Sequence, residues 1–282
     1  MSVIVVTDSS SRLHSDELKQ WDIRQVPLHV LVDGADLRDG VDDVPYDIHD
    51  RARVTTSGAA PAALTETYRH ALADSNGDGV VAVHISAALS STFSSAVQSA
   101  RDFGASVRVV NSRSAAMGVG FIALTAAQAA SSGEDLDAVE AAARSAIPRT
   151  HAFIAVHRLD NLRRSGRIGT AASWLGTALS LKPLLCLDVD GRLVLDQRIR
   201  TVSKAHAAMV DRVVALVGDR RASITVHHVD NHDAADEVGA ALTDRLPQVE
   251  SLNVTDMGPV LSIHVGGGAV GVVVGLADSG SE

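Results

Sequence analysis

Short apolar runs alternate with amphipathic helical segments through the first half of the chain, and this alternation limits the fold more than any other feature. "SVIVVTDSS" at residues 2–10, "VVAVHIS" at 80–86 and "SVRVVNS" at 106–112 read as strands closed by turn-forming residues. Between and after them lie helical stretches. Residues 61–79 start with Pro61 in the first turn, and Gly77 and Gly79 lie beyond the end. From Ser90, the residues Phe93, Ala96, Val97, Ala100 and Phe103 recur at helical spacing until Gly104. Residues 118–133 and 135–147 are further helices before the strand "HAFIAV". Such alternation implies a mostly parallel sheet covered by helices on both faces.

Near residue 150 the style changes. "RRSGRIGTAASWLGTALSLKP" reads as a basic turn and an Ala-rich helix ended by Pro183. "PLLCLDVDGRLVLDQRIRT" reads as two strands about the hairpin turn Asp190-Gly191. The helix "SKAHAAMVDRVVALVG", the strand "SITVHHV", the helix "DAADEVGAALTDRL" and closing strands "LSIHVG" and "AVGVVVGLA" complete the chain. The expected architecture is therefore α/β in two domains: residues 1–150 with a mostly parallel sheet and flanking helices, and 151–282 as an α+β domain with a mixed sheet.

Composition narrows the function. Of 282 residues, 46% are hydrophobic but only 3% aromatic, so a pocket here is aliphatic and suits a saturated chain better than a stacked base. A net charge of −9 argues against nucleic-acid binding, which rests on phosphate neutralisation. The lone Cys186, within "PLLCLDV", fits a buried small hydrophobe in a reducing compartment. The start lacks the basic flank of a signal peptide, and no apolar run is long enough to span a bilayer. The expectation is a soluble cytoplasmic protein with no stable membrane insertion.

Few motifs carry chemistry. Gly118-Gly120-Ala123 and Gly266-Gly268-Gly271 have the dinucleotide spacing but not the strand–turn–helix context, and no G-x-S-x-G elbow occurs. His227, His228 and His232 in "HHVDNHD" resemble metal ligands, yet strand alternation sends the first two to opposite faces, and an exposed strand end explains them. No cofactor or metal is called for. Residues 158–204 hold nine Lys or Arg against four Asp, a local +5 that favours an acidic or phosphate-bearing partner over a merely solvated face. Ser86, Ser90, Ser91, Thr92, Ser94 and Ser95 crowd one strand–helix junction, and "TTSGAAP" at 55–61 reads as a second hydroxyl-bearing helix start. In a parallel sheet such junctions open on one edge, so the two could share a small anion, although ordinary capping also accounts for them.

The segments "VTDSSSRL", "VPLHVLVDG", "TTSGAAP", "HISAALSSTFSSA", "VVNSRSAAMGVG", "LDNLRRSGRIGTAASWLGTALSLKPLL", "RIRTVSKA" and "MGPVLSIHVGGGAVGV" occur in this order. Together they resemble the DegV family of bacterial fatty-acid-binding proteins along the whole chain. The resemblance implies two α/β domains with a long-chain fatty acid held between them. It also implies a non-catalytic protein whose bound acid is presented to a separate ATP-dependent kinase, which phosphorylates the carboxyl. Thr56 matches the threonine of the family's Thr-Ser pair and Ser90 the serine of its Leu-Ser-Gly-Thr segment; both are implied to hold the carboxylate, with Ser57, Ser91 and Thr92 beside them. His264 matches a histidine near the same head group. Arg167 and Arg200 match arginines associated with kinase docking or acyl transfer. Ala88, Ser91 and Ser165 stand where the family has glycine, Gly58 where it has glutamine, and Gly266-Gly267-Gly268 where it has Gly-Pro-Gly. Side chains at 88 and 91 are expected to narrow the head-group site. Two rivals stay open: an acyl hydrolase or transferase using a Ser/His group, and a fatty-acid-responsive sensor that serves no kinase.

Overall fold

The computed structural model describes residues 3–51, 53–168 and 181–278, which form two units. The first unit is Met1–Pro45 with Arg53–Pro148, and the second is Tyr46–Ala52 with Arg149–Glu282. The second unit thus takes a short segment from within the first half of the sequence. The Ala-rich helix expected before Pro183 falls largely on 169–180, outside the described residues.

In the first unit, chain order runs β1 (Ile4–Asp8), α1 (Ser15–Gln20), β2 (Arg24–Val26), β3 (His29–Val32), β4 (Ala35–Arg38), β5 (Val54–Ser57), α2 (Pro61–Asp74), β6 (Val80–His84), α3 (Thr92–Ala100), β7 (Val107–Asn111), α4 (Met117–Ser131) and α5 (Leu136–Ala146). The main sheet has the order β2-β1-β6-β7, and every pairing is parallel. All five residues of β1 and of β6 are buried, as expected for central strands covered on both faces. Helix α4, rich in Ala, Gly and Val, buries residues around its circumference; at Gly120 a Cβ would lie 2.8 Å from the Ser11 carbonyl, so only glycine permits that approach.

A second sheet, β4-β3-β5, is antiparallel and was not expected. Its signal was present in "VLVDGADL": Val32 pairs with Ala35 across Asp33-Gly34, both at positive φ, a two-residue hairpin turn. Thr55, Thr56 and Ser57 belong to this sheet's strand β5 rather than to a helix start. Helix α2 begins at Pro61 with Ala60 as its uncapped N-cap. The junction therefore does not lie on the parallel sheet's edge, and the shared-edge argument fails for it.

The second unit contains β8 (Thr150–Ala155), α6 (Asp160–Ser165), β9 (Leu184–Leu187), β10 (Leu193–Gln197), α7 (Val202–Val217), β11 (Ala222–His228), α8 (His232–Arg245), β12 (Val249–Asp256), α9 (Pro259–Val265) and β13 (Val270–Leu276). Its sheet, β10-β9-β8-β13-β11-β12, is mixed, with only β11 and β12 parallel. One core forms where Met209, Val213, Val238 and Leu242 of α7 and α8 pack on Ile224, Val226, Val272 and Val274. The turn at Asp190-Gly191 is as expected, with Gly191 at φ 74°. "LSIHVG" is not a strand but most of α9. Pro259 at its start, between Gly258 and Gly266, sets the helix, and a short apolar run does not by itself distinguish the two periods. The imported segment docks here through Ile48 and His49, 1% and 4% exposed. His49 Nε2 lies 3.3 Å from Asp230, and a Cβ on Gly267 would come within 2.9 Å of that nitrogen.

Candidate functional site

The hydroxyls that follow β6 divide their work. Ser86 Oγ accepts from the Ala88 N–H at 3.2 Å, and its carbonyl accepts from Ser90 N at 3.1 Å, closing the turn. The Ser86 N–H donates to the Ser114 carbonyl, and Ala87 N–H to Asn111 Oδ1, which tie the turn to the end of β7. Ser94 Oγ donates to the Ser91 carbonyl. Ser91 is the N-cap of α3 but makes no side-chain capping bond.

Ser90 and Thr92 form the centre. Ser90 Oγ accepts from the Thr92 N–H at 3.2 Å and lies 2.9 Å from Thr92 Oγ1. Thr92 is fully buried, and its Oγ1 accepts from the Ala59 N–H at 3.2 Å. Either hydroxyl can donate in that bond: Thr92 to Ser90 Oγ, which frees the half-buried Ser90 O–H, or Ser90 to Thr92 Oγ1. Two coupled hydroxyls thus sit at the amino end of a nine-residue helix, an arrangement suited to an anion.

The Ala59 bond also brings in the second hydroxyl segment. At Gly58 a Cβ would lie 2.8 Å from Thr92 Oγ1, 3.0 Å from Ser91 Oγ and 3.1 Å from Thr92 N, so the two segments meet where residue 58 has no side chain. This accounts for the departure from glutamine there: the Ser91 hydroxyl and Thr92 occupy the space. Thr56 is half-buried in β5 opposite Val30, and the exposed Ser57 donates to the Gly58 carbonyl. Thr56, Ser57, Ser90, Ser91 and Thr92 therefore belong to two neighbouring segments of the first unit.

His264, Arg167 and Arg200 belong to the second unit. His264 is in the last turn of α9, and its pKa is pushed down to about 4, first by burial and then by the charge of Arg167. It is a neutral imidazole at pH 7. Arg167 follows Gly166, which ends α6 in the left-handed conformation, and its Nη1 donates to the Ser165 carbonyl. Arg200 is exposed just ahead of α7. Arg158, Arg163, Arg164, Arg198 and Lys204 are exposed as well, so the basic stretch is solvent-facing. At Gly268 (φ 81°) a Cβ would collide with the His157 ring. His227 is buried, 1% exposed, rather than at an open strand end, and the rings of His228 and His232 meet edge to face at 5.2 Å. Among the described residues no group of three or more potential ligands gathers around a metal position. Sequence reasoning passed over His49 and Tyr68, and it gave no place in the site to Asp8 and His84, although they lie in the segments "VTDSSSRL" and "HISAALSSTFSSA".

Comparison with known proteins gives the family. Residues 2–276 match the model of a family described as uncharacterised proteins of the DegV family. A DegV domain-containing protein of Mycobacterium tuberculosis is 62% identical over 279 residues, 99% of either chain. A DegV family protein from Thermus thermophilus, described as binding fatty acid, superposes with a TM-score of 0.92 at 32% identity, covering 98% of this chain and 100% of that one. DegV of Bacillus subtilis, described as a fatty acid binding protein, superposes with a TM-score of 0.87 at 26% identity over 98% and 100% of the two chains. With eight ordered sequence segments, a parallel and a mixed sheet, and matches running nearly end to end, the chain belongs to the DegV family.

Proposed function

We propose that this chain binds one long-chain fatty acid, holds its carboxylate at Thr56 and Ser90, and presents it to an ATP-dependent kinase that forms the acyl phosphate. The observation that carries the reading is the closure of the Gly58–Ala59 segment onto Ser90 and Thr92, which brings the half-buried Ser90 hydroxyl beside a second hydroxyl-bearing segment. Two relatives above 25% identity, those from Thermus thermophilus and Bacillus subtilis, are described as binding fatty acids. Each charge-assisted hydrogen bond to a carboxylate contributes about 1.5–3 kcal/mol. Each buried methylene adds about 0.8 kcal/mol, so the tail supplies affinity and the hydroxyls fix which end is held. Ser90 Oγ is bonded to the Thr92 N–H and hydroxyl, neither of which is a base, so nothing in those contacts activates it as an acyl-transfer nucleophile.

The test is lipid extraction of protein purified from bacterial cells, followed by rebinding of palmitate or oleate to delipidated protein. One fatty acid per chain is expected. Thr56→Ala with Ser90→Ala should weaken binding at least tenfold, and each single change should cost less. An extract without fatty acid and no binding of either added acid refutes the proposal. Turnover of an activated acyl ester would favour the hydrolase instead, and binding without phosphorylation by any kinase of the source cell would favour the sensor.

A further inference from the structure

Three side chains that the carboxylate site does not use lie at 0% exposure in the first unit: Asp8, Tyr68 and His84. A carboxylate so deeply buried is tolerated only when its lone pairs are bonded. Asp8 Oδ1 accepts from the Ser10 N–H at 3.1 Å and the Ser10 hydroxyl at 2.5 Å. Its Oδ2 accepts from the Ile85 N–H and from His84 Nδ1–H, both at 3.0 Å. With Nδ1 facing the carboxylate, the other ring nitrogen, Nε2, is hydrogen-bonded to the Tyr68 hydroxyl at 2.8 Å. Burial, and after it the Asp8 charge, push the Tyr68 pKa up, so the phenol remains a donor.

The placement of this chain of bonds is what gives it a role. Asp8 ends β1 and His84 ends β6. Ile85, bonded to Asp8, directly precedes the turn that carries Ser86, Ser90 and Thr92. Tyr68 is on α2, the helix that the Thr56–Ala59 segment leads into. One network thus grips both connections that supply hydroxyls to the site. We propose that Asp8, His84 and Tyr68 are positioning residues that hold the Thr56–Ala59 segment and the Ser86–Thr92 turn in register for a bound carboxylate. This deepens the fatty-acid reading and rests on it.

Tyr68→Phe tests it, because the ring and its edge contact with Phe103 are kept while the O–H is lost. In ligand-free protein the Ala59 amide, which donates to Thr92 Oγ1, should exchange with deuterium at least tenfold faster. Palmitate affinity, measured where the variant is fully folded, should fall at least fivefold. Val139→Ala, a buried change on α5 far along the chain, controls for general destabilisation. If Ala59 exchange rises no more in Tyr68→Phe than in Val139→Ala, the network is structural only and the proposal is overturned. Should Tyr68→Phe not fold, Ser10→Ala, which removes a single bond to Asp8, serves with an expected threefold acceleration; no acceleration overturns the proposal. Wild-type protein that binds no palmitate would defeat the carboxylate reading, while Ala59 exchange would still decide the positioning.

Discussion

Gly58→Ala is the most economical perturbation of the proposed site, because one methyl group tests the closure on which that proposal rests. The backbone at Gly58 lies outside the left-handed region, so alanine meets no conformational penalty. Restricting the unfolded chain would even stabilise the variant by about 0.4–1 kcal/mol. Space alone therefore decides the sign. The new Cβ would lie 2.8–3.1 Å from three atoms of Ser91 and Thr92, where ordinary contact begins near 3.4 Å. Relief requires the two segments to part, at an overpacking cost of about 1–3 kcal/mol. The 3.2 Å bond from Ala59 to Thr92 would be lost as well, worth about 1 kcal/mol. A net loss of about 2–3 kcal/mol lowers the melting temperature by roughly 5–10 °C in a chain of this size. Parting the hydroxyls also removes one charge-assisted bond to the carboxylate, a loss of about ten- to a hundredfold in affinity. Thermal unfolding of delipidated protein and displacement of a fluorescent fatty acid measure the two effects. Adding Ser91→Gly should recover part of both, since Thr92 still crowds the methyl. An alanine variant that melts at or above wild type and binds palmitate within twofold would show that the two segments do not close on residue 58.

His264 makes a pH prediction. Its folded pKa of about 4 lies below its ordinary value, so between pH 6.5 and 4 the unfolded chain takes up a proton that the folded one does not. Stability contributed by the neutral imidazole is nearly complete above pH 6.5 and is lost as pH falls to 4; the wild-type advantage over His264→Gln in urea unfolding should shrink by about 3 kcal/mol across that window. An advantage independent of pH would mean that the imidazole protonates as readily folded as unfolded. Arg200→Ala should leave palmitate affinity unchanged and, if the proposed kinase partnership holds, slow acyl-phosphate formation at least tenfold, with wild-type rates falling as salt rises; equal rates would mean that the basic face is only solvated. Burial, then Asp196, push the Cys186 thiol up to about 11, so a thiol reagent at pH 8 should label native protein slowly and unfolded protein at once.

The elements visible in sequence were those whose period is unbroken. Strands β1, β6 and β7 and helices α2, α4, α5, α7 and α8 show long apolar patterns with glycine or proline at their ends. What escaped were short strands whose stability comes from partners elsewhere. The β3–β4 hairpin has an Asp-Gly turn but lies on a small sheet with polar residues on one side, and β12, at the edge of its sheet, mixes half-buried and exposed positions without a regular period of two. Helix α9 is only seven residues, too short for its period to distinguish it from a strand. The hydroxyl cluster stood out because its side chains are unusual in number. Tyr68 did not, and Asp8 and His84 stood out only as parts of longer segments; only the fold shows that a carboxylate, an imidazole and a phenol meet in line, with Asp8 and His84 76 positions apart in sequence.

The borrowed segment around Ile48 and His49 has a consequence for how the protein is made. These residues leave the ribosome early, but Asp230 and Gly267, which His49 faces, are synthesised about two hundred residues later. At about 5–20 residues per second, the segment waits on the order of ten to forty seconds before its partners exist. Through that interval Ile48 has no core to enter, while the strands on either side of it can already pair. A fragment that stops before α9 leaves that apolar side chain exposed. A fragment that begins at residue 149 contains the seat but not its occupant. Neither half of the sequence, cut at the apparent boundary, encodes a complete second unit, and separate expression of 149–282 should yield a poorly soluble chain that a peptide spanning 44–54 helps to keep in solution.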